Sequence, residues 1–266
     1  MKKLFLLMSI FVMVLPAFGE KIDVTIYVDD AYKPFSFKGK DGKAKGIYIN
    51  VLSTAFSRMK DFNVTIRPIP WKRGKHLMET GDGFGLAPAF YHGHDWPYLY
   101  PYSLAFYTET ITAVCTDQVL ETPRLNWPED YIGLRIGNVA GYDGWGGTEF
   151  RKLVKDGKIQ YQEAKGSAEN ILKLGARRVH CIMMEDTAFD YSYAKLKLSG
   201  QYSERMARIK KGAIIGVYPV YIGYSKTARK MGKYPFQFDF MQAFDNEIYK
   251  MIKSGEIKKI MSSYSN

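Results

Sequence analysis

Several residue groups in this chain have side chains suited to chemistry. Arg73 offers a guanidinium fork, which can grip an anionic group through two parallel charged hydrogen bonds; its bland alternative is a solvated surface charge. Glu185 and Asp186 follow a short apolar run. A carboxylate at a strand end facing a cleft suits a cation, and the alternative is an acid capping the next turn. His92-Gly93-His94-Asp95 gathers two imidazoles and a carboxylate, a set that zinc or copper accepts and that a polar turn beside aromatics also produces. Around them stand rings. Tyr91, Trp96, Tyr98, Tyr100, Tyr102, Phe106 and Tyr107 crowd one loop, and rings at that density are buried against either the protein's own core or a ligand. No G-x-S-x-G, P-loop or H-E-x-x-H pattern is present, so no nucleophile, nucleotide or zincin site is indicated and no cofactor is called for. Catalysis would need Glu185 or His94 as acid or base.

The elements that must position these residues follow from periodicity. Residues 21–27 alternate and are β-branched, predicting an opening strand. Val51, Leu52, Ala55, Phe56 and Met59 have helical spacing; 63–68 reads as a strand; a helix opens at Trp71 and runs through Met78, with Gly81 ending it; 84–89 is a third strand. Strand–helix–strand–helix–strand is the grammar of a parallel α/β sheet, where ligands sit beyond the C-terminal strand ends. Those ends are Tyr32 and Phe35, Pro70 and Trp71, and Phe90 and Tyr91. Residues 108–114 form a further strand leading away. The same grammar then repeats, with strands at 131–137, 160–163 and 179–184, helices at 148–155 and 167–174, and a glycine-rich turn at 141–147 whose N–H groups suit an anion. Tyr142 and Trp145 on that turn either cap a ligand or pack into the core. Residues 212–225 are strand-like, with Pro219 suggesting an edge or break, and 236–253 is an amphipathic helix.

Composition narrows the class. The apolar share of 46% is that of a globular protein. Residues 1–19 carry Lys2 and Lys3, an apolar stretch too short to span a bilayer, Pro16 and then Ala17-Phe18-Gly19, which predicts a cleavable export signal cut after Gly19. Loss of its two lysines lowers the net charge from +11 to about +9, spread without a long basic block, so nucleic-acid binding is a poor fit. Cys115 and Cys181 would travel to a compartment that permits a disulfide. If 108–115 runs beside 179–185, the two face each other, as a bridge or as two buried thiols.

The ordered set Tyr32-x-Pro34-Phe35-Ser36-Phe37, Asp41-Gly42-Lys43-x-x-Gly46, Pro70-Trp71-x-Arg73 and the aromatic loop resembles bacterial extracellular solute-binding proteins of family 3. The closing segment, Gly255 then Ile257 and Ile260 and the aromatic Tyr264, resembles the family's last helix. The resemblance implies a two-lobed α/β periplasmic-binding-protein fold of type II with two hinge strands. Its lobes would be 20–111 with 213–266, and 112–212. It implies a monomeric periplasmic receptor that encloses a small ligand, an amino acid or related molecule, and delivers it to the membrane permease of an ABC transporter. Ligand contacts would come from Tyr32, Phe35, Trp71, Arg73, Phe90, Tyr91, His94, Tyr142 and Glu185 or Asp186. Members that bind amino acids usually carry an Arg in the loop after the third strand. Here that loop reads Tyr91-His92-Gly93-His94-Asp95-Trp96, leaving Arg73 as the obvious replacement. The alternatives are a dehydratase-like enzyme on the same fold and a metal receptor using His92, His94 and Asp95.

Overall fold

The computed structural model describes residues 20–92 and 95–264. The export-signal segment 1–19 and His94 lie outside them. In chain order the first part comprises β1 (Ile22–Asp29), then β2 (Ala31–Tyr32), β3 (Ser36–Lys38) and β4 (Ala44–Lys45), which form a small antiparallel sheet, then α1 (Ile47–Ser57), β5 (Phe62–Ile69), α2 (Trp71–Thr80), β6 (Gly85–Ala89) and β7 (Leu99–Tyr102). The chain continues through β8 (Tyr107–Thr116), β9 (Arg135–Val139), α3 (Gly147–Lys155), β10 (Gln160–Ala164), α4 (Ser167–Gly175), β11 (Cys181–Glu185) and α5 (Asp186–Leu198). It returns along β12 (Ile209–Ser225) and ends with α6 (Lys226–Lys230), α7 (Gln237–Lys253) and α8 (Glu256–Ser262).

The strands follow the path β10-β9-β11-β8-β12-β6-β1-β5, with β7 also on β12. Each end of the path is a parallel trio, β5-β1-β6 on one side and β10-β9-β11 on the other. Parallel pairing needs a crossover, and α1, α2, α3 and α4 are those crossovers. Between the trios β8 and β12 pair antiparallel from Ile209↔Thr116 to Val220↔Tyr107. These two strands join the trios, giving the two-lobed α/β architecture that the sequence predicts. Pro219 does not break β12: it sits opposite Thr108 and before the pairing with β6 begins at Tyr221, where one strand edge is open and a missing N–H costs no ladder bond.

The first lobe's core is built where α7 lies against α1 and the sheet. Phe240, Phe244, Ile248 and Met251 recur at three- and four-residue spacing and are all buried. Phe244 meets Phe56 of α1 at 5.4 Å, and Phe240 meets Phe84 edge-on at 5.1 Å. In the second lobe Cys115 on β8 and Cys181 on β11 occupy directly opposite register positions and are joined as a disulfide. Among the described residues no helix is long and apolar enough to cross a membrane.

Candidate ligand cleft between the lobes

The C-terminal ends of β1, β5 and β6 deliver Asp29, Trp71 at the start of α2, and Phe90 to one side of the cleft. The turn from β9 to α3 brings Tyr142, Gly144 and Trp145 from the other lobe. With Tyr32, Pro88 and Trp96 these residues enclose a cavity of about 20 Å³, room for one water. Its rings touch. Tyr142 stands edge-on to Tyr32 at 5.6 Å and to Trp145 at 5.1 Å, and Trp71 stands edge-on to Trp96 at 6.2 Å.

Polar contacts tie the two faces together. The Tyr142 hydroxyl donates to Asp29 Oδ2 at 2.5 Å, while the Ala31 N–H donates to Oδ1 at 2.8 Å. Lys75 Nζ reaches the Gly141 carbonyl at 2.9 Å and Asp143 Oδ1 at 2.6 Å. Further out, Lys72 pairs with Glu163 at 2.8 Å and Arg151 with Asp95 at 2.7 Å. The glycines of the turn make this approach feasible. A Cβ on Gly144 would lie 2.3 Å from the His92 ring, and one on Gly141 would lie 2.6 Å from the Lys72 side chain. Close lobe contact is thus the physical use of these glycines, and the Gly141 and Gly146 carbonyls are taken by Lys75 and the Trp127 indole.

Behind Tyr32 lies a buried carboxylate that sequence reasoning missed. Glu109, on β8, accepts from the Tyr32 hydroxyl and the Tyr48 hydroxyl, each at 2.6 Å. Its diagonal neighbour across β8 and β11 is Glu185, which stands opposite Ile111. Burial raises the Glu109 carboxyl well above its ordinary range, and the Glu185 charge pushes the same way against the two tyrosine bonds. Burial also raises Asp29 and Glu185, each to about 7, offset in part by the hydrogen bonds they accept.

These raised values fix a sign. A carboxyl whose folded pKa lies above its unfolded one holds more protons when folded. Its contribution is complete below the unfolded pKa and is lost as pH rises through the folded pKa. With Asp29 and Glu185 both at about 7, the melting temperature is expected to fall between pH 5 and pH 8. Asp29→Asn combined with Glu185→Gln should flatten that slope. A melting temperature that is level or rises over the same range in the unmutated protein would contradict the assignment.

The structure sorts the residues picked out from sequence. Tyr32, Trp71, Phe90 and Tyr142 come together around the cavity. Phe35 does not line it: it is fully buried one layer behind, stacked on Tyr48 at 4.5 Å. Tyr91 turns outward, 63% exposed, against Tyr102 at 5.3 Å. Glu185 is the N-cap of α5, accepting the Ala188 N–H at 2.6 Å, and Asp186 in the first turn of that helix faces Lys211 at 3.6 Å. Asp95 pairs with Arg151 and His92 packs edge-on to Trp96 at 4.5 Å; among the described residues no cluster of three His, Cys, Asp or Glu is placed to hold a metal.

Arg73 corrects the largest expectation. Trp71, Gly74, Lys75 and Met78 form the buried face of α2, so a residue two positions after Trp71 points away, and Arg73 is exposed. Lys75 is the buried basic side chain by which α2 reaches the other lobe, and Lys72 reaches it from the exposed side. Arg73→Ala is therefore expected to leave affinity for any cleft ligand within about twofold. Lys75→Ala removes two bonds between the lobes and should enlarge the radius of gyration in X-ray scattering. A tenfold loss of affinity in the Arg73 variant would restore it to the site.

No protein-family model matches the chain, and no curated protein matches it in sequence. Solved structures match it closely in shape. A structure from work on glutathione import via GshT and the cystine ABC importer TcyBC of Streptococcus mutans has a TM-score of 0.70 at 15% identity, covering 92% of this chain and 95% of that one. A mutant of ArgBP from T. maritima has a TM-score of 0.68 at 12% identity, covering 92% and 96%. The ancestral amino acid-binding protein AncCDT-1, described as a precursor of cyclohexadienyl dehydratase, has a TM-score of 0.63 at 17% identity, covering 91% and 94%. The chain has the two-lobed periplasmic-binding-protein fold. At these identities the likeness carries the fold and leaves the ligand to the chain's own residues.

Proposed function

We propose that this protein is an exported, monomeric receptor that closes its lobes on a small polar solute and hands it to the membrane permease of an ABC transporter. The observation that carries the reading is the cavity between the lobes, walled by rings from both sides around the buried Asp29 carboxylate. A mostly apolar, enclosed site with few convergent polar groups is the usual form of a small-molecule site. The lobes on this reading are 20–111 with 213–266, and 112–212, swinging about β8 and β12 as a hinge. The amino acid-binding neighbours of the same fold support a receptor role. Export by the 1–19 segment belongs to the same proposal, and the mass of the purified protein would show whether the chain starts at Glu20.

The test is a thermal-shift screen, with and without EDTA, against amino acids, small carboxylates, amines and metal ions. A solute that raises the melting temperature and alters X-ray scattering supports the receptor. Absence of a shift across the screen would remove it. A second reading has one observation behind it: a buried carboxyl near pH 7 beside a cavity also suits a general acid. Catalytic turnover of small carboxylic acids would replace binding with dehydratase-type chemistry.

A further inference from the structure

Granting that the cleft is a receptor site, its wall narrows the kind of solute. Six rings face the cavity: Tyr32, Trp71, Phe90, Trp96, Tyr142 and Trp145. The charged group among them is Asp29, 2% exposed at the end of β1. The buried cation beside that wall, Lys75, lies over the Trp96 ring at 5.1 Å and is already held by the Gly141 carbonyl and Asp143. The Tyr32 hydroxyl is directed to Glu109. Among the described residues, the cavity wall thus presents negative charge and ring faces, and no cation for a carboxylate. A solute whose charge complements it is positive.

Counting hydrogen bonds goes further. A primary ammonium brings three N–H donors, and each needs an acceptor once buried. Asp29 is the carboxylate available, and each of its oxygens already accepts one bond, from Ala31 and Tyr142, leaving about two of its four acceptor places for three donors. The indole N–H groups of the wall only donate. An ammonium carrying methyl groups has no donors to satisfy, and its charge is spread over methyl surfaces that favour ring faces. We infer that the cleft binds a quaternary ammonium solute, with Asp29 as counter-ion and the rings as its cage. Tyr142 and Trp145 belong to the opposite lobe from Asp29, so parting the lobes withdraws them and makes room for a headgroup larger than the present cavity. On closing, the headgroup lies against the Asp29 carboxylate beside the Tyr142 hydroxyl, which keeps its bond.

The test uses choline as the probe, with its neutral isostere 3,3-dimethylbutan-1-ol, ethanolamine, L-arginine and L-glutamine beside it. Binding to the purified protein is read by calorimetry and by tryptophan fluorescence. Choline is expected to bind at least about tenfold more tightly than the isostere and than ethanolamine. Asp29→Asn should weaken choline at least about tenfold while keeping a cooperative melt. Trp71→Leu, which keeps the site apolar, should weaken it as well. If the Asp29 variant does not fold, the order of ligands on the unmutated protein decides alone. Equal affinity for choline and its isostere overturns the role of charge. Binding of arginine or glutamine without choline overturns the quaternary ammonium and leaves the receptor standing. No binding by any solute, here or in the wider screen, overturns both.

Discussion

Replacing Glu109 with alanine will cost about 3–5 kcal/mol of folding stability, and replacing it with glutamine will cost less than about 1 kcal/mol. The difference follows from what each variant leaves behind. Glu109 is fully buried, and its two oxygens accept the hydroxyls of Tyr32 and Tyr48 at 2.6 Å each. Alanine strands both hydroxyls in a layer of rings where Phe35 stacks on Tyr48 and Phe106 meets Tyr48 edge-on, and opens a void as well. Glutamine has the shape and neutrality of the protonated carboxyl that burial favours, and one tyrosine hydroxyl can turn to accept its N–H. In a thermal melt the alanine variant should fall by roughly 10 °C and the glutamine variant by no more than about 3 °C. Equal losses would mean that Glu109 acts through its charge, contrary to the direction in which burial and Glu185 push it.

Reduction of the Cys115–Cys181 bridge, or its replacement by two alanines, will cost about 4 kcal/mol. The cross-link closes a loop with a sequence separation of 66, and the loop-entropy relation gives about that value. The bridge clamps β8 to β11 in the second lobe, at a register position remote from Glu109 and the cleft. The loss should therefore appear in the melting temperature, roughly 10 °C lower with reductant, while ligand affinity at a temperature where the protein stays folded changes little. A change under about 1 kcal/mol on reduction would show that the unbridged chain is equally constrained without it.

The alternation in 21–27, the strand read at 63–68 and the Gly81 stop after α2 made the first parallel trio legible, because those strands and caps obey local rules. Helix α1 begins at Ile47, earlier than its helical spacing at Val51 suggests, because Ile47, Tyr48 and Ile49 are all buried and a continuous apolar run has no visible period. Helix α5 escaped notice because its inward residues, Ala188, Phe189, Ser192 and Leu196, are interleaved with Tyr191, Tyr193, Lys195 and Lys197. The cleft was legible in its rings and not in its charges. Asp29 reads as the polar end of a strand and Glu109 as the polar face of an alternating one, so neither announces that folding will bury it. The signal that was present is position: Asp29 is the residue at the C-terminal end of β1, where an α/β sheet offers its ligand site. Arg73 misled for the complementary reason, since guanidinium chemistry is apt anywhere but helical geometry gave the inward place to Lys75.

On the proposed receptor reading, the contacts between Tyr142 and Asp29, Lys72 and Glu163, and Arg151 and Asp95 make the closed protein its own competitor. A solute enters only the fraction of molecules whose lobes stand apart, so apparent affinity is intrinsic affinity scaled by that fraction. The charged pairs at Lys72 and Arg151 lie outside the cavity wall, yet each one that favours closure without solute subtracts from what the solute gains on arriving. Sensitivity to solute is then adjustable from the rim. On that reading, exchanging a surface charge at Lys72 or Glu163 is expected to shift the concentration at which the cleft fills, while the residues of the cavity wall stay the same.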